Sequence, residues 1–68
     1  MYEVDVFIDG HALVAGTTKY IDRALHILAD NVELVESEKA DSIMIMDIDN
    51  DCKVVTSICK FDFNINEL

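Results

Sequence analysis

Along residues 2–8 apolar and polar side chains alternate, with Tyr2, Val4, Val6 and Ile8 on one parity and Glu3, Asp5 and Phe7 on the other. A period of two predicts a strand that turns one face to a core. Asp9-Gly10 follows, a dipeptide suited to a type I′ turn because both central residues need positive φ. Folding back about that loop sets Ile8 against His11, Val6 against Leu13 and Val4 against Ala15, a hairpin over residues 2–15. Its inner face is then Tyr2, Val4, Val6, Ile8, Leu13 and Ala15. Its outer face carries Glu3, Asp5, Phe7, Ala12 and Val14.

Beyond Thr17 the period changes. Ile21, Ala24, Leu25 and Leu28 fall at helical spacing, flanked by Tyr20 and Ile27, with Lys19, Asp22, Arg23, His26 and Asp30 opposite. Thr17-Thr18 offers an N-cap, Asp22 suits the positive helix end and Asn31 offers a left-handed C-cap, so a helix is predicted over 18–30. Residues 32–41 fit two readings: Val32, Leu34 and Val35 as a short strand or as a ragged last turn, then an acidic loop.

A second hairpin is predicted over 42–61, with Ser42–Ile48 going out, a turn at Asp49–Cys52 and Lys53–Phe61 returning. Pairing Ile48 with Lys53 groups Met44, Met46, Ile48, Val55, Cys59 and Phe61 on one face. Ile43, Ile45, Asp47, Val54, Thr56, Ile58 and Lys60 take the other. The tail 62–68 has no period and is expected to lie on the surface. The expected fold is a single α+β domain over 1–68, of ββαββ order, with one helix across one face of an antiparallel sheet.

One helix covers one face. The far face is expected to show Phe7, Val14, Ile43, Ile45, Val54 and Ile58 among Glu3, Asp5, Asp47 and Asp49. Contiguous apolar patches mark contact sites. Two outcomes follow: residues 32–36 or the tail fold over this patch, or a partner or second copy takes it.

Charge sharpens the picture. Fourteen acidic residues face five basic ones, a net charge of −9 on 68 residues of which 51% are hydrophobic. That apolar share excludes a disordered acidic tail. The charge repels itself and favours a positively charged partner. Direct binding of nucleic acid is excluded by the same count, since affinity there rests on neutralising phosphates with Lys and Arg. No apolar run is long enough to span a membrane. Cys52 and Cys59, seven residues apart on one predicted strand, stand roughly 23 Å apart at strand rise, beyond disulfide reach. Two unpaired thiols and no secretion signal point to a reducing, cytoplasmic location, in a cell or an infected host.

Catalytic and metal chemistry find little footing. Asp47, Asp49 and Asp51 match the opening of a calcium loop, but its sixth position holds Cys52 where glycine is needed and its twelfth holds Ile58 where a bidentate glutamate is needed. His11, His26, Cys52 and Cys59 form no ligand pair at metal-binding spacing. Ser37, Ser42 and Ser57 lack a nucleophile elbow, and Gly10 and Gly16 make no phosphate-cradling loop. No cofactor, metal or catalytic residue is expected, and the chain reads as a non-enzyme.

What is left is a surface. Alternate strand carboxylates stand roughly 6.6 Å apart, and such rows would fit a groove of Lys and Arg built for a phosphate backbone. In size and acidity the chain resembles the small inhibitors that phages make against host nucleic-acid machinery. That likeness of composition rests on no residue motif, so it transfers no functional residue. The expected function is nucleic-acid mimicry that blocks a basic nucleic-acid-binding protein. Glu3, Asp5, Asp47, Asp49 and Asp51 would carry it with Phe7 and Ile45 as apolar anchors, and Glu33, Glu36 and Glu38 second. The alternative is a homodimer or other homo-oligomeric accessory protein using its spare sheet face, acidic only for solubility. A metal-responsive module is a weaker alternative.

Overall fold

A computed structural model of the chain describes residues 1–63. Strands β1 (Tyr2–Ile8) and β2 (His11–Thr18) are followed by helix α1 (Ile21–Glu36), strands β3 (Ser42–Asp47) and β4 (Lys53–Cys59), and a 3₁₀ turn over Lys60–Phe63. The strands form one sheet in the order β2-β1-β3-β4, with every neighbouring pair antiparallel. β2 and β3 flank β1 and therefore run parallel to each other, with α1 as the crossover between them. This is the expected ββαββ architecture. The tail expected over 62–68 falls outside the described residues from 64 onward.

The first hairpin closes as its sequence predicts. Asp9 and Gly10 have φ of 50° and 80°, and Ile8 pairs with His11 and Val6 with Leu13. Further along, the register shifts between Val4 and Asp5, so Val4 faces Gly16 while Asp5 faces Val14. Ala15 is the extra residue of this bulge, and Gly16 takes the helix-side place expected for Ala15. That substitution matters for packing. A Cβ on Gly16 would lie 2.9 Å from Ile27 Cδ1, so the bare backbone lets α1 settle close to β2. Gly16→Val is expected to cost about 1–3 kcal/mol by forcing Ile27 aside, read as a lower urea midpoint at unchanged slope.

The helix starts later and runs further than its sequence signals suggest. Thr17 and Thr18 end β2, and the N-cap is Tyr20, whose side chain makes no cap hydrogen bond. Thr18 instead accepts a hydrogen bond at Oγ1 from the Tyr20 N–H, 3.2 Å away. Asn31 does not stop the helix, because its side-chain amide donates to the Ile27 carbonyl at 2.8 Å and is satisfied within the turn. Val32 and Val35 then extend the stripe begun by Ala24 and Leu28, and Val35 is fully buried. Packing on the sheet decides this stretch. The helix closes at Ser37 and Glu38, where Glu38 has φ of 63° and donates to the Val35 carbonyl.

The core lies between α1 and one sheet face: Val4, Val6, Ala24, Leu28, Val35, Ala40, Ile43 and Ile45. Ile43 and Ile45 have no solvent exposure, which corrects their expected place, with Ile58, on the far face. The β1–β3 register explains the correction. Val6 pairs with Ile43 and Val4 with Ile45, and directly opposed residues share a face. That register is pinned by the connection, where Asp41 N–H donates to the Phe7 carbonyl at 2.8 Å. Ser42 thereby stands beside Phe7, and the isoleucines turn inward. Ile58, paired with Ile43, is partly buried against the same core. Phe61 leaves the strand altogether and is exposed in the 3₁₀ turn.

Candidate functional site

The opposite sheet face is built by the residues that alternate with the core. β1 gives it Glu3, Asp5 and Phe7. β2 gives Ala12, Val14 and Thr17, which pair with Phe7, Asp5 and Glu3. β3 gives Ser42, Met44 and Met46, which pair with the same three residues from the other side. A second bulge, between Ile45 and Met46, brings Val54 into register with Met46. The face is thus an apolar field of Phe7, Val14, Met44, Met46 and Val54 with an acidic stripe down its central strand. Among the described residues no element crosses it, since α1 packs on the other side and the 3₁₀ turn packs against α1 and β4.

Asp5 stands in the middle of this field and is only 4% exposed. Its flanking partners are Val14 and Met44, which supply no hydrogen-bond donor from their side chains. Among the described residues Asp5 Oδ1 has no hydrogen-bond partner. Burial raises its carboxyl from 3.8 to about 6, and the negative charge of Glu3 adds to the shift. A hydrogen bond between the two carboxyls contributes as well. That bond needs a proton on one of them, so it vanishes when both ionise. At neutral pH the face therefore holds a buried anion whose Oδ1 has no donor among the described residues, a costly arrangement.

The remaining acidic candidates lie elsewhere. Asp47 pairs with Tyr2 and Lys53 on the helix-side parity at the end of the sheet, so it does not share the face of Glu3 and Asp5 as expected. Asp49 and Asp51 belong to the exposed β3–β4 turn, where Asp49 Oδ2 meets the Met1 amino group at 2.5 Å. Asp51 and Cys52 hold φ of 54° and 55° in that turn. Glu33 and Glu36 point to solvent from the last turns of α1, across the molecule from the open face, with Glu38 just beyond. Ile45 is core and cannot anchor a contact. Glu3, Asp5 and Phe7 are therefore the members of the expected set that one surface brings together. Met44, Met46 and Val14 complete it.

Met44 and Met46 share one parity of the second hairpin. What no local signal carries is which parity faces the helix, because both are apolar.

At the other end of the sheet Asp41 ties three segments. It accepts from the Asp9 N–H at 3.2 Å and from Lys60 Nζ at 2.9 Å. The Lys60 ammonium holds the Asp41 carboxyl below its ordinary value, and Asp41 in turn raises Lys60. This clamp is structural, and it consumes one of the five cations in the chain. Among the described residues no three His, Cys, Asp or Glu side chains converge as a metal site, and no helix is long and apolar enough to cross a membrane. Both cysteines are free thiols, Cys52 exposed and Cys59 half-buried.

Compared with known protein families, curated proteins and solved structures, the chain matches none.

Proposed function

We propose that the protein is a small, acidic, non-enzymatic binding protein that blocks a basic, nucleic-acid-binding surface on a partner protein, as a phage-type inhibitor does. One observation carries the reading: a buried carboxylate whose Oδ1 has no donor among the described residues, set among apolar side chains on the sheet face that no described element crosses. An isolated fold gains nothing from that group. A cationic partner supplies the missing donors, and the surrounding apolar groups exclude water from the pair.

The acidic end of α1 supports the same reading through rate. Glu33 and Glu36 sit at the negative end of the helix, whose last turn holds no basic residue. Charges there oppose the helix dipole, so they serve the long-range field better than the fold. With the net charge of −9 they steer a basic body toward the molecule.

Three outcomes test the proposal. A complex isolated from the native host at about 0.05 M salt should dissociate by about 0.5 M, where screening shortens to a few ångströms. Duplex DNA or RNA should displace the partner. Replacing both Glu33 and Glu36 with Gln should slow association several-fold at low salt with little change in dissociation. A partner held equally at both salt concentrations and indifferent to nucleic acid contradicts the proposal.

Self-association through the same face is a second reading, favoured by the exposed Val14 and Val54. A two-fold contact centred on β1 would bring two Glu3–Asp5 pairs together. Such a dimer requires protonation of the two Asp5 carboxyls, so sedimentation should show it at pH 5 and a monomer at pH 8. Identical behaviour at both values removes this reading.

A further inference from the structure

The Glu3–Asp5 pair carries more than a general attraction for positive charge. Asp5 is nine-tenths buried and more, and its Oδ1 is without a donor among the described residues. Alternation along β1 aims it out of the core, into the face that no described element covers. Phe7 lies two residues along the same face, and Val14 and Met44 stand directly across from Asp5 on the two neighbouring strands. A buried carboxylate inside an apolar rim specifies its ligand: one cation, able to shed water cheaply and to offer several donors in a plane.

We propose that Glu3, Asp5 and Phe7, with Val14 and Met44 as walls, form a receptor for a single arginine side chain of the partner protein. This deepens the inhibitor reading and rests on it. Charge complementarity fixes the class of occupant. The choice of guanidinium over ammonium follows from the rim: a guanidinium is weakly hydrated, forks its donors to two oxygens and stacks on aromatic and thioether surfaces, whereas an ammonium keeps its water. Phe7 adds an aromatic neighbour of the kind that attracts cations. A second copy of this chain is the poorer occupant, since it would present carboxyls to carboxyls.

Binding is linked to protons at this site. The groups facing Asp5 are Glu3 on its own strand, Val14, Ala15 and Thr17 on β2, and Met44 and Met46 on β3. Among these only Glu3 titrates. The nearest thiol on this parity, Cys59, lies beyond Ser42 at the sheet edge. An arginine seated on the pair favours the ionised form and expels the shared proton.

The test uses the intact protein and three short peptides, Ac-Leu-Arg-Leu-NH2, its lysine analogue and its citrulline analogue, the last a neutral isostere of arginine. Side-chain carboxyl ¹³C signals are followed from pH 3 to 8. With the arginine peptide near saturation, the Asp5 midpoint should fall by about one pH unit or more, as an opposite charge at contact distance requires. Amide shifts should concentrate on Glu3 to Phe7, Val14 and Met44. Citrulline should leave the midpoint in place, and lysine should lower it less than arginine. Asp5→Asn should abolish the response at Val14 and Met44; the citrulline comparison needs no variant and so does not depend on that protein's folding.

An Asp5 midpoint moved equally by arginine and citrulline overturns the receptor. So does an equal effect of lysine, an unmoved midpoint at millimolar peptide, or a response centred on Glu33, Glu36, Asp49 and Asp51. Such a failure is distinguishable from failure of the inhibitor reading. If salt and nucleic acid still release the full partner, the docking cation merely sits elsewhere. If they do not, an intact arginine response cannot rescue the inhibitor.

Discussion

Asp5→Asn should leave the protein more stable than the wild type at pH 8 and nearly equal to it at pH 3. Folding raises the Asp5 carboxyl from 3.8 to about 6, so across that window the folded chain keeps a proton that the unfolded chain has released. Asp5 therefore contributes stability that is fully present below about 3.8 and is lost as pH rises from there through about 6. A shift of this size corresponds to roughly 2–3 kcal/mol at about 1.36 kcal/mol per pH unit. The asparagine cannot ionise and escapes that loss, although its amide needs partners too, so a net gain of about 1–3 kcal/mol is expected at pH 8. Urea unfolding at the two pH values measures it. A gap between variant and wild type that is the same at both values contradicts the account of Asp5.

Ile45→Ala should be the more damaging change and should act through folding alone. Ile45 is fully buried between Val4 and α1, and truncation of such a residue costs about 2–5 kcal/mol. A domain of this size seldom has more than roughly 3–5 kcal/mol to lose. The variant should be largely unfolded at room temperature by circular dichroism. Val54→Ser, on the open face at 47% exposure, should fall within about 0.5 kcal/mol of wild type. The opposite pattern, a folded Ile45→Ala that has lost its partner, would place Ile45 on the contact surface.

These two residues also mark where sequence reasoning succeeds and stops. The element order, the Asp9-Gly10 turn and the inner parity of the first hairpin follow from local periodicity, since Val4 and Val6 have only polar or isolated aromatic alternates. Asp5 and Phe7 are placed correctly for the same reason. In the second hairpin Ile43 and Ile45 alternate with Met44 and Met46, so either parity can form a core. The choice is made at long range, by the hydrogen bond from the Asp41 N–H to the Phe7 carbonyl and the register that sets Ile43 against Val6.

Bulges are likewise silent in the pattern. One moves Gly16 into the place expected for Ala15, and the other brings Val54 beside Met46. The helix end misleads because Asn31 satisfies itself on the preceding turn, leaving tertiary packing of Val32 and Val35 to carry the helix onward. The acidic candidates scatter for a related reason: the β1–β3 register that turns Ile43 and Ile45 inward puts Asp47 on their parity, on the opposite face from Glu3 and Asp5.

The burial of Asp5 is the least legible feature, and the most consequential. Alternation places it outside the helix-covered core, where a carboxylate is ordinarily hydrated. Its register partners on the two adjoining strands, Val14 and Met44, bring no polar side chain to it.

Site-resolved ¹³C titration of the Asp5 carboxyl in the free protein probes that condition without a partner or a variant. A midpoint near 6 is the result expected of an anion shut among apolar neighbours with Glu3 alone beside it. A midpoint at the ordinary 3.8 would mean a hydrated carboxylate, leaving the open face no buried charge for a basic partner to neutralise.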